Sequence, residues 1–299
     1  MNTSIFQAPS ELVSPDYSIY RYTDQIYKVV YFKCPKAGIL PPVRECPKNE
    51  IKFSQSVSRA RKTILELALC NDWKYFITLT LDGDKYDRFN LLNFRRDLAQ
   101  FVRNLRKKYL KQGFDYKINY LLVPEKHENG AWHIHGLLSD ISAFTIPFDC
   151  LVRQGVPIPK KLWNKGYFNW PDYQEKFGNC SLGLIRDKIA CGFYVTKYIS
   201  KMIQDSDISP GDHLFFASQG LNRSTLHGDI YGYSNYLDGF LDRDYEFCKT
   251  GFTKTTDNLS WDFALDLMDF EPLFPADPPP SVLRVCDDFE YLQDVIKGW

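Results

Sequence analysis

The eight residues AWHIHGLL, at positions 131–138, decide how this 299-residue chain is interpreted. His133 and His135 are two of only five histidines, and they stand at i and i+2 in a run with the alternation of a strand. Successive strand residues point to opposite faces, so the two imidazoles share one face while Ile134 points to the core. Two imidazoles on one face favour a metal site. A surface strand with two hydrogen-bonded histidines would give the same pattern, so the pair needs a reactive group elsewhere.

A second strand precedes the histidines and ends in a carboxylate. INYLLVP (118–124) has strand character, and the following EKHENG contains Asn129–Gly130, a strong hairpin-turn signal. Glu125, at the end of that strand, is therefore expected to lie across the hairpin from the histidines. Two histidines and one carboxylate would leave open positions on a divalent ion, as catalysis requires. His127 is an alternative third ligand.

The pattern around this hairpin predicts an α+β fold. YFITLTLD (75–82) alternates as a strand, and helical periodicity is found at 53–73, 90–110 and 187–203. HLFFASQGL (213–221) is a candidate returning strand. The order strand, helix, strand, strand, helix, strand predicts a central antiparallel β-sheet flanked by helices. Near the N-terminus, YSIYRY and QIYKVVYFKC predict a further hairpin.

The helix at 187–203 carries the reactive groups that the histidine pair needs. Tyr194, Lys197, Tyr198 and Lys201 are spaced i, i+3, i+4 and i+7, so they share one stripe of the helix. A phenol is a poor nucleophile at neutral pH, but a nearby ammonium favours the phenolate, and a metal-bound phosphate would be its electrophile. Tyrosines that border a core beside lysines that reach to solvent would give the same stripe.

Composition and charge narrow the function classes. The chain is 44% hydrophobic and 16% aromatic with zero formal net charge, and its eight cysteines form no C-x-x-C pair. These cysteines are expected to be reduced thiols. Ten Lys/Arg face three Asp between residues 85 and 117, whereas ten acids face two cations from 257 onward. A locally basic region can bind a polyanion in a neutral chain, although a solvated helix face has the same composition. No long apolar run or signal segment is found, so a soluble, cytoplasmic protein with no membrane partner is expected.

Taken together, three motifs give the chain a family resemblance. It resembles the HUH endonucleases and, within them, the two-tyrosine rolling-circle replication initiators (Rep) of phages and phage-like elements. The resemblance covers roughly residues 73–203, and its motifs here are YFITLTLD, VPEKHENGAWHIHGLL and YVTKYISK. The second and third motifs together are specific, whereas the first is weak alone.

The resemblance implies a fold and a set of site residues. The fold would be an RRM-like βαββαβ core with the histidine strand in the middle of the sheet and with N- and C-terminal extensions. Mg²⁺ or Mn²⁺ would be held by His133, His135 and Glu125. The nucleophiles would be Tyr194 and Tyr198, with the motif lysines Lys197 and Lys201. The basic helix would contact phosphates through Arg95, Arg96, Arg103, Arg106 and Lys107.

The resemblance also implies a reaction and partners. One tyrosine would cut single-stranded or hairpin origin DNA in a bacterial host cell, leaving a 5′-phosphotyrosine and a free 3′-OH. The 3′-OH would prime a host DNA polymerase, and the second tyrosine would cut the new copy so that the ends rejoin. No G-x-x-x-x-G-K-[ST] motif is found, so a host helicase is expected.

Other functions remain open from the sequence. The closest is the same chemistry in a two-tyrosine transposase or a relaxase. A metal-dependent hydrolase that uses H-x-H and water would leave the tyrosine stripe unexplained, and a non-catalytic DNA-binding regulator would form no covalent adduct. The expected domains are an N-terminal extension (1–72), an endonuclease domain (73–230) and an acidic C-terminal extension (231–299).

Overall fold

The computed structural model describes residues 15–33, 49–115, 117–127, 129–195, 214–230, 235–244, 248–255 and 270–272. Its strands, in chain order, are β1 (Tyr17–Arg21), β2 (Ile26–Phe32), β3 (Tyr75–Thr80), β4 (Tyr120–Lys126), β5 (Trp132–Leu138), β6 (Ile146–Pro147), β7 (Phe168–Asn169), β8 (Cys180–Leu184), β9 (Phe216–Ala217), β10 (Thr225–Ile230), β11 (Arg243–Asp244), β12 (Cys248–Thr255) and β13 (Phe270–Pro272). Its helices are α1 (Asn49–Leu69), α2 (Leu91–Lys111), α3 (Phe148–Arg153), α4 (Lys160–Asn164), α5 (Pro171–Lys176), α6 (188–195) and α7 (Asn235–Asp238), with a 3₁₀ turn at Ser142–Phe144.

The described residues divide into two compact units. The histidine unit runs from residue 49 to residue 223. The terminal unit combines residues 15–33 with the described residues from 224 onward. The grouping differs from the expected boundaries at 72/73 and 230/231, because α1 packs on the histidine sheet and the N-terminal hairpin pairs with strands beyond residue 224.

The histidine unit contains a seven-stranded antiparallel sheet in the order β6-β7-β8-β3-β5-β4-β9. The histidine strand β5 is an interior strand, paired with β3 on one side and β4 on the other. Helices flank this sheet, so the predicted α+β class with a central antiparallel sheet is confirmed. The strand β8 was not predicted from the sequence, although it pairs with β3 over five residues.

Helix α2 covers the sheet face opposite the histidines. Its predicted apolar stripe is buried in full, namely Phe94, Leu98, Phe101, Val102, Leu105 and Tyr109. The stripe shares a core with Ile77 and Leu79 of β3 and with Ile134 of β5, as the alternation of these strands predicts. At its start, the side chain of Asn90 accepts a hydrogen bond from the Asn93 amide at 3.0 Å and caps the helix.

Helices α1 and α6 cover the other face. Ile64 and Leu67 of α1 and Cys191 and Val195 of α6 share a core with sheet residues, among them Leu121, Val123 and Leu137. Because Leu137 follows the histidines at i+2 and i+4, both imidazoles lie on this same face. The described cysteines are free thiols, as expected.

Gly136 allows the two strands of the histidine hairpin to approach closely. A Cβ atom at this position would lie 2.0 Å from the carbonyl oxygen of Leu121 in β4. No side chain tolerates that overlap with a neighbouring backbone, so the glycine in the predicted motif has a packing reason.

The terminal unit is built from both ends of the described chain. Its strands run β10-β1-β2-β12-β11, and β13 pairs with β12. The β1–β2 hairpin confirms the N-terminal prediction. Its core contains the aromatic and aliphatic side chains of Tyr17, Ile19, Tyr27, Val29, Leu237 and Phe240. In neither unit does a described helix have the length and apolar character needed to cross a membrane.

Candidate active site

Three neighbouring strands bring the candidate site together in two rows. In the first row, Thr80 of β3 and Glu125 of β4 are the register partners of His133. In the second row, Thr78 and Val123 flank His135 in the same way. Side chains that are paired across strands share a face, so two hydroxyls and one carboxylate surround the two imidazoles. The prediction that Glu125 lies across the hairpin from His133 is confirmed.

His135 is held on both sides of its ring. Its Nε2 lies 2.9 Å from Glu125 Oε2, and its Nδ1 lies 3.2 Å from the Thr78 hydroxyl. An ionised carboxylate can only accept, so Nε2 donates the hydrogen in that contact. The residue is 3% exposed, and these contacts fix the orientation of its ring.

His133 is kept neutral by its surroundings. Its pKa is lowered to about 3, chiefly by burial and then by the neighbouring His127 and His135. Its Nδ1 lies 3.4 Å from the Thr80 hydroxyl, and the centroid of its ring lies 4.1 Å from that of His127. A neutral imidazole has a free nitrogen lone pair at physiological pH, which is the state that binds a metal.

The chemistry of these donors suits a divalent ion. Imidazole and carboxylate together bind Mg²⁺, Mn²⁺ and related metals, and both histidines have hydroxyl partners of the kind that orient metal ligands. Among the described residues, however, no three His, Cys, Asp or Glu side chains are gathered as a metal centre. Glu125 instead bonds directly to His135, and His127 contacts His133. To hold an ion, His135 must move the hydrogen on Nε2 to Nδ1, where the Thr78 hydroxyl can accept it.

The start of the tyrosine helix is well defined. Asp187 caps α6, because its Oδ1 accepts hydrogen bonds from the amides of Ile189 and Ala190, both at 2.9 Å. Gly192 lets the helix approach α1, since a Cβ there would lie 2.9 Å from a methyl carbon of Leu69.

Tyr194 is the one predicted nucleophile that lies within the described residues. It is 8% exposed, and its ring meets Phe76 edge-on with 6.2 Å between centroids. Phe76 precedes Thr78 by two residues in β3, so Tyr194 lies over the same sheet face as the histidines. The other predicted members of the stripe, Lys197, Tyr198 and Lys201, lie outside the described residues.

The predicted DNA-contacting side chains divide into two groups. Arg95, Arg96, Arg103 and Arg106 of α2 line a groove of about 970 Å³. Lys107 is exposed on the same helix but does not line the groove.

Several residues around the site were not singled out from the sequence. Thr78 and Thr80 are such residues, although their i, i+2 spacing on a polar strand face mirrors that of the histidines. Arg88 is another, since its positive charge acts on His133 and lowers the pKa of that imidazole. Arg59 of α1 also lines the groove, and no local pattern connects it to α2.

Comparison with known proteins gives one match. Residues 74–203 match the family model of the replication-associated protein ORF2. This segment contains the histidine hairpin, Glu125 and Tyr194, and it ends just beyond the predicted lysine stripe. No curated protein and no solved structure matches the chain. The family match supports a replication-associated function, and specifically a replication initiator.

Proposed function

We propose that this chain initiates rolling-circle DNA replication by nicking and rejoining a single DNA strand through a 5′-phosphotyrosine intermediate. The observation that carries the proposal is the ordered histidine pair with Glu125, on the sheet face where Tyr194 also lies. The family match over residues 74–203 supports initiation of replication as the setting.

The proposed reaction assigns a role to each side chain. His133, His135 and Glu125 hold Mg²⁺ or Mn²⁺, which, when bound, polarises the scissile phosphate. Thr78 and Thr80 orient the two imidazoles through their Nδ1 atoms. Tyr194 or Tyr198 attacks phosphorus through its phenol oxygen, with Lys197 and Lys201 favouring the phenolate.

The bonds in this reaction balance without a further reagent. The new bond joins phosphorus to the tyrosine oxygen, and the bond between phosphorus and O3′ breaks. The phenol loses a proton, and the departing O3′ gains one, so the products are a 5′-phosphotyrosine and a free 3′-OH. Attack by that kind of 3′-OH on the phosphotyrosine reverses the step and joins the strand. Host polymerase and helicase complete the proposed cycle.

The proposal is tested by a covalent adduct. The protein is incubated with labelled single-stranded DNA from its own replicon and Mn²⁺, with and without EDTA, and then separated on a denaturing gel. We expect an EDTA-sensitive protein band that carries label, and its loss when Tyr194 and Tyr198 are both changed to Phe. Adduct formed by that double variant would contradict the nucleophile assignment. Cleavage with no attached label would favour a hydrolase that uses water.

The metal assignment is tested separately. We expect Glu125→Ala and His135→Ala each to abolish cleavage while the protein keeps its circular dichroism spectrum and unfolding midpoint. His127→Ala is the matched comparison, because His127 contacts His133 but has no contact with the His135–Glu125 pair among those described. Full nicking by either of the first two variants would remove those residues from the metal site.

A further inference from the structure

The strongest unassigned feature of the histidine unit is the groove lined by α1, α2, Tyr120 and residues 214–219, here called the arginine groove. Its walls carry five arginines, while none of its lining residues is acidic. None of the candidate active-site residues lines it. The arginines are Arg59 of α1 and Arg95, Arg96, Arg103 and Arg106 of α2.

Two of these arginines are held in place by neutral acceptors. Arg103 donates two hydrogen bonds to Gln100 Oε1, at 2.8 and 3.2 Å. Arg106 donates to the Ile118 carbonyl and, at 3.3 Å, to Asn119 Oδ1. Such acceptors fix a guanidinium group without cancelling its charge. Arg96, in contrast, contacts the carboxylate of Asp97 at 3.1 Å, so its charge is partly offset.

The arginines are arranged on opposite walls and not in one surface cluster. From Arg95 to Arg106 the α2 wall extends for about 16 Å, at the usual rise of an α-helix. Arg59 belongs to α1, which packs on the other face of the sheet. A polyanion in the groove would therefore meet positive charge from two elements. A guanidinium binds phosphate oxygens through a rigid fork of donors, and arginines already held in place lose less freedom on binding.

Aromatic side chains between the arginines indicate the form of the polyanion. Tyr120 and Phe215 are partly exposed where they line the groove. The charges of Arg95, Arg103 and Arg106 all act on the Tyr120 phenol, which shows how closely these side chains converge. Aromatic rings interleaved with cations stack on unpaired bases, whereas bases in a duplex are already stacked on each other.

We propose that the arginine groove binds single-stranded DNA through its phosphates and its unpaired bases, at a position separate from the histidine site. The choice of DNA as the nucleic acid rests on the proposed function. The groove would hold the strand next to the segment being cut, and so keep it on the protein after cleavage.

The test compares two matched pairs of substitutions in the full chain. The groove variant is Arg59→Gln with Arg103→Gln, one exposed cation from each helix. The control variant is Lys62→Gln with Lys111→Gln, which removes the same charge from exposed positions of the same two helices outside the groove. Binding to labelled oligothymidylate is measured by fluorescence anisotropy in EDTA over a range of salt concentrations. Equal unfolding midpoints show that the variants are folded.

We expect the groove variant to bind about tenfold more weakly at moderate salt. Its slope of log affinity against log salt should fall in magnitude by about 1.4, since each lost phosphate contact on a single strand removes about 0.7. The control variant should change affinity less than about twofold. Equal losses in the two variants, or no loss in the groove variant, would overturn the proposal. Tighter binding of duplex DNA that is also lost in the groove variant would overturn the assignment to single strands.

This experiment is independent of strand cleavage. Binding is measured without metal, and oligothymidylate contains no origin, so the result does not depend on nicking. The proposed function is judged on the same proteins by adduct formation with Mn²⁺. A wild-type protein that forms no adduct, together with a groove variant that loses binding, would reject the nuclease and keep the groove.

Discussion

Thr78 and Thr80 turn a pair of buried histidines into oriented ligands. Each hydroxyl faces the Nδ1 atom of one imidazole, and each is the register partner of that histidine in β3. A hydroxyl both donates and accepts, so Thr78 can satisfy either tautomer of His135. The histidines could therefore be recognised from the sequence, but their partners depend on a strand pairing that links residues more than fifty positions apart.

Removal of one hydroxyl should weaken metal binding. Thr78→Val keeps the shape of the side chain but leaves His135 Nδ1 without this partner, and we expect Mn²⁺ affinity to fall by about 10- to 100-fold. Isothermal titration calorimetry measures the change, and Thr78→Ser serves as the control because it retains the hydroxyl. Equal affinity of the Val and Ser variants would show that the hydroxyl does not orient the ligand.

The low pKa of His133 makes the metal-free protein sensitive to acid. The folded state keeps this imidazole neutral, with a pKa of about 3 against an ordinary 6.5, whereas the unfolded chain takes up a proton below 6.5. The unfolded state then binds more protons, so stability falls as the pH is lowered from 6.5 toward 3. The slope from this group approaches about 1.4 kcal/mol per pH unit.

Urea unfolding in EDTA at several pH values tests this effect. His133→Gln lacks the titrating group, so its stability should depend less on pH than that of the wild type, from pH 6.5 down to about pH 4. Parallel pH profiles for the two proteins would contradict the low pKa of His133.

The two tyrosines should differ in their contribution to cleavage. Tyr194 is buried against Phe76, and a buried hydroxyl reaches a phosphate only after local rearrangement. We therefore expect Tyr194→Phe to lose less of the first cleavage than Tyr198→Phe, and the double variant to be inactive. Rapid-quench measurement of adduct formation by each single variant decides between them. A larger loss in Tyr194→Phe would identify it as the first nucleophile.

Close approach of β4 and β5 depends on a single residue. The Cβ of an alanine at position 136 would overlap the Leu121 carbonyl at 2.0 Å, and neither backbone can move without breaking the ladder. We expect Gly136→Ala to destabilise the protein by about 3 kcal/mol and to weaken metal binding through displacement of β5. Denaturant unfolding measures the loss.

Gly113→Ala is the comparison for this substitution. Gly113 has a φ of +86° but open space around it, so alanine there meets only backbone strain of about 1–2 kcal/mol. A cost at Gly136 no greater than that at Gly113 would show that the hairpin can relax around the added methyl group.

Elements with a strong local pattern were predicted from the sequence, whereas those defined by their neighbours were missed. The stripe of α2 and the alternation of β3 have the periods of a helix and a strand, and both match the structure. The segment CSLGL of β8 has no such alternation, and it is a strand because the edge of β3 accepts it. The strands β10 and β12 were missed for the same reason, since their partners lie some 200 residues away.

The terminal unit depends on pairing between distant parts of the chain. β12 pairs with β2 over seven residues, and β10 pairs with β1. Deletion of residues 1–33 should therefore leave β10 and β12 without these partners, while the histidine unit keeps all seven strands of its own sheet. No local pattern predicts this division, because a domain boundary is set by which distant strands pair.

Hydrogen exchange tests the independence of the two units. In the deletion variant, we expect the amides of β12 to exchange close to the rate of an unfolded chain, and those of β3 and β5 to keep the protection they have in the full protein. Loss of protection in β3 and β5 would show that the histidine unit requires the terminal unit for its stability.

Pairing of β2 with β12 also sets an order of events during synthesis. The β1–β2 hairpin leaves the ribosome early, but the residues of β12 are added more than 200 positions later. At common bacterial translation rates this delay is roughly 10–40 s. During that time the whole histidine unit can emerge and fold, while the hairpin presents two unpaired strand edges that are prone to association with other chains. Newly made protein is therefore expected to need a chaperone at its N-terminal end, and to acquire its nuclease unit before its first strands find their partners.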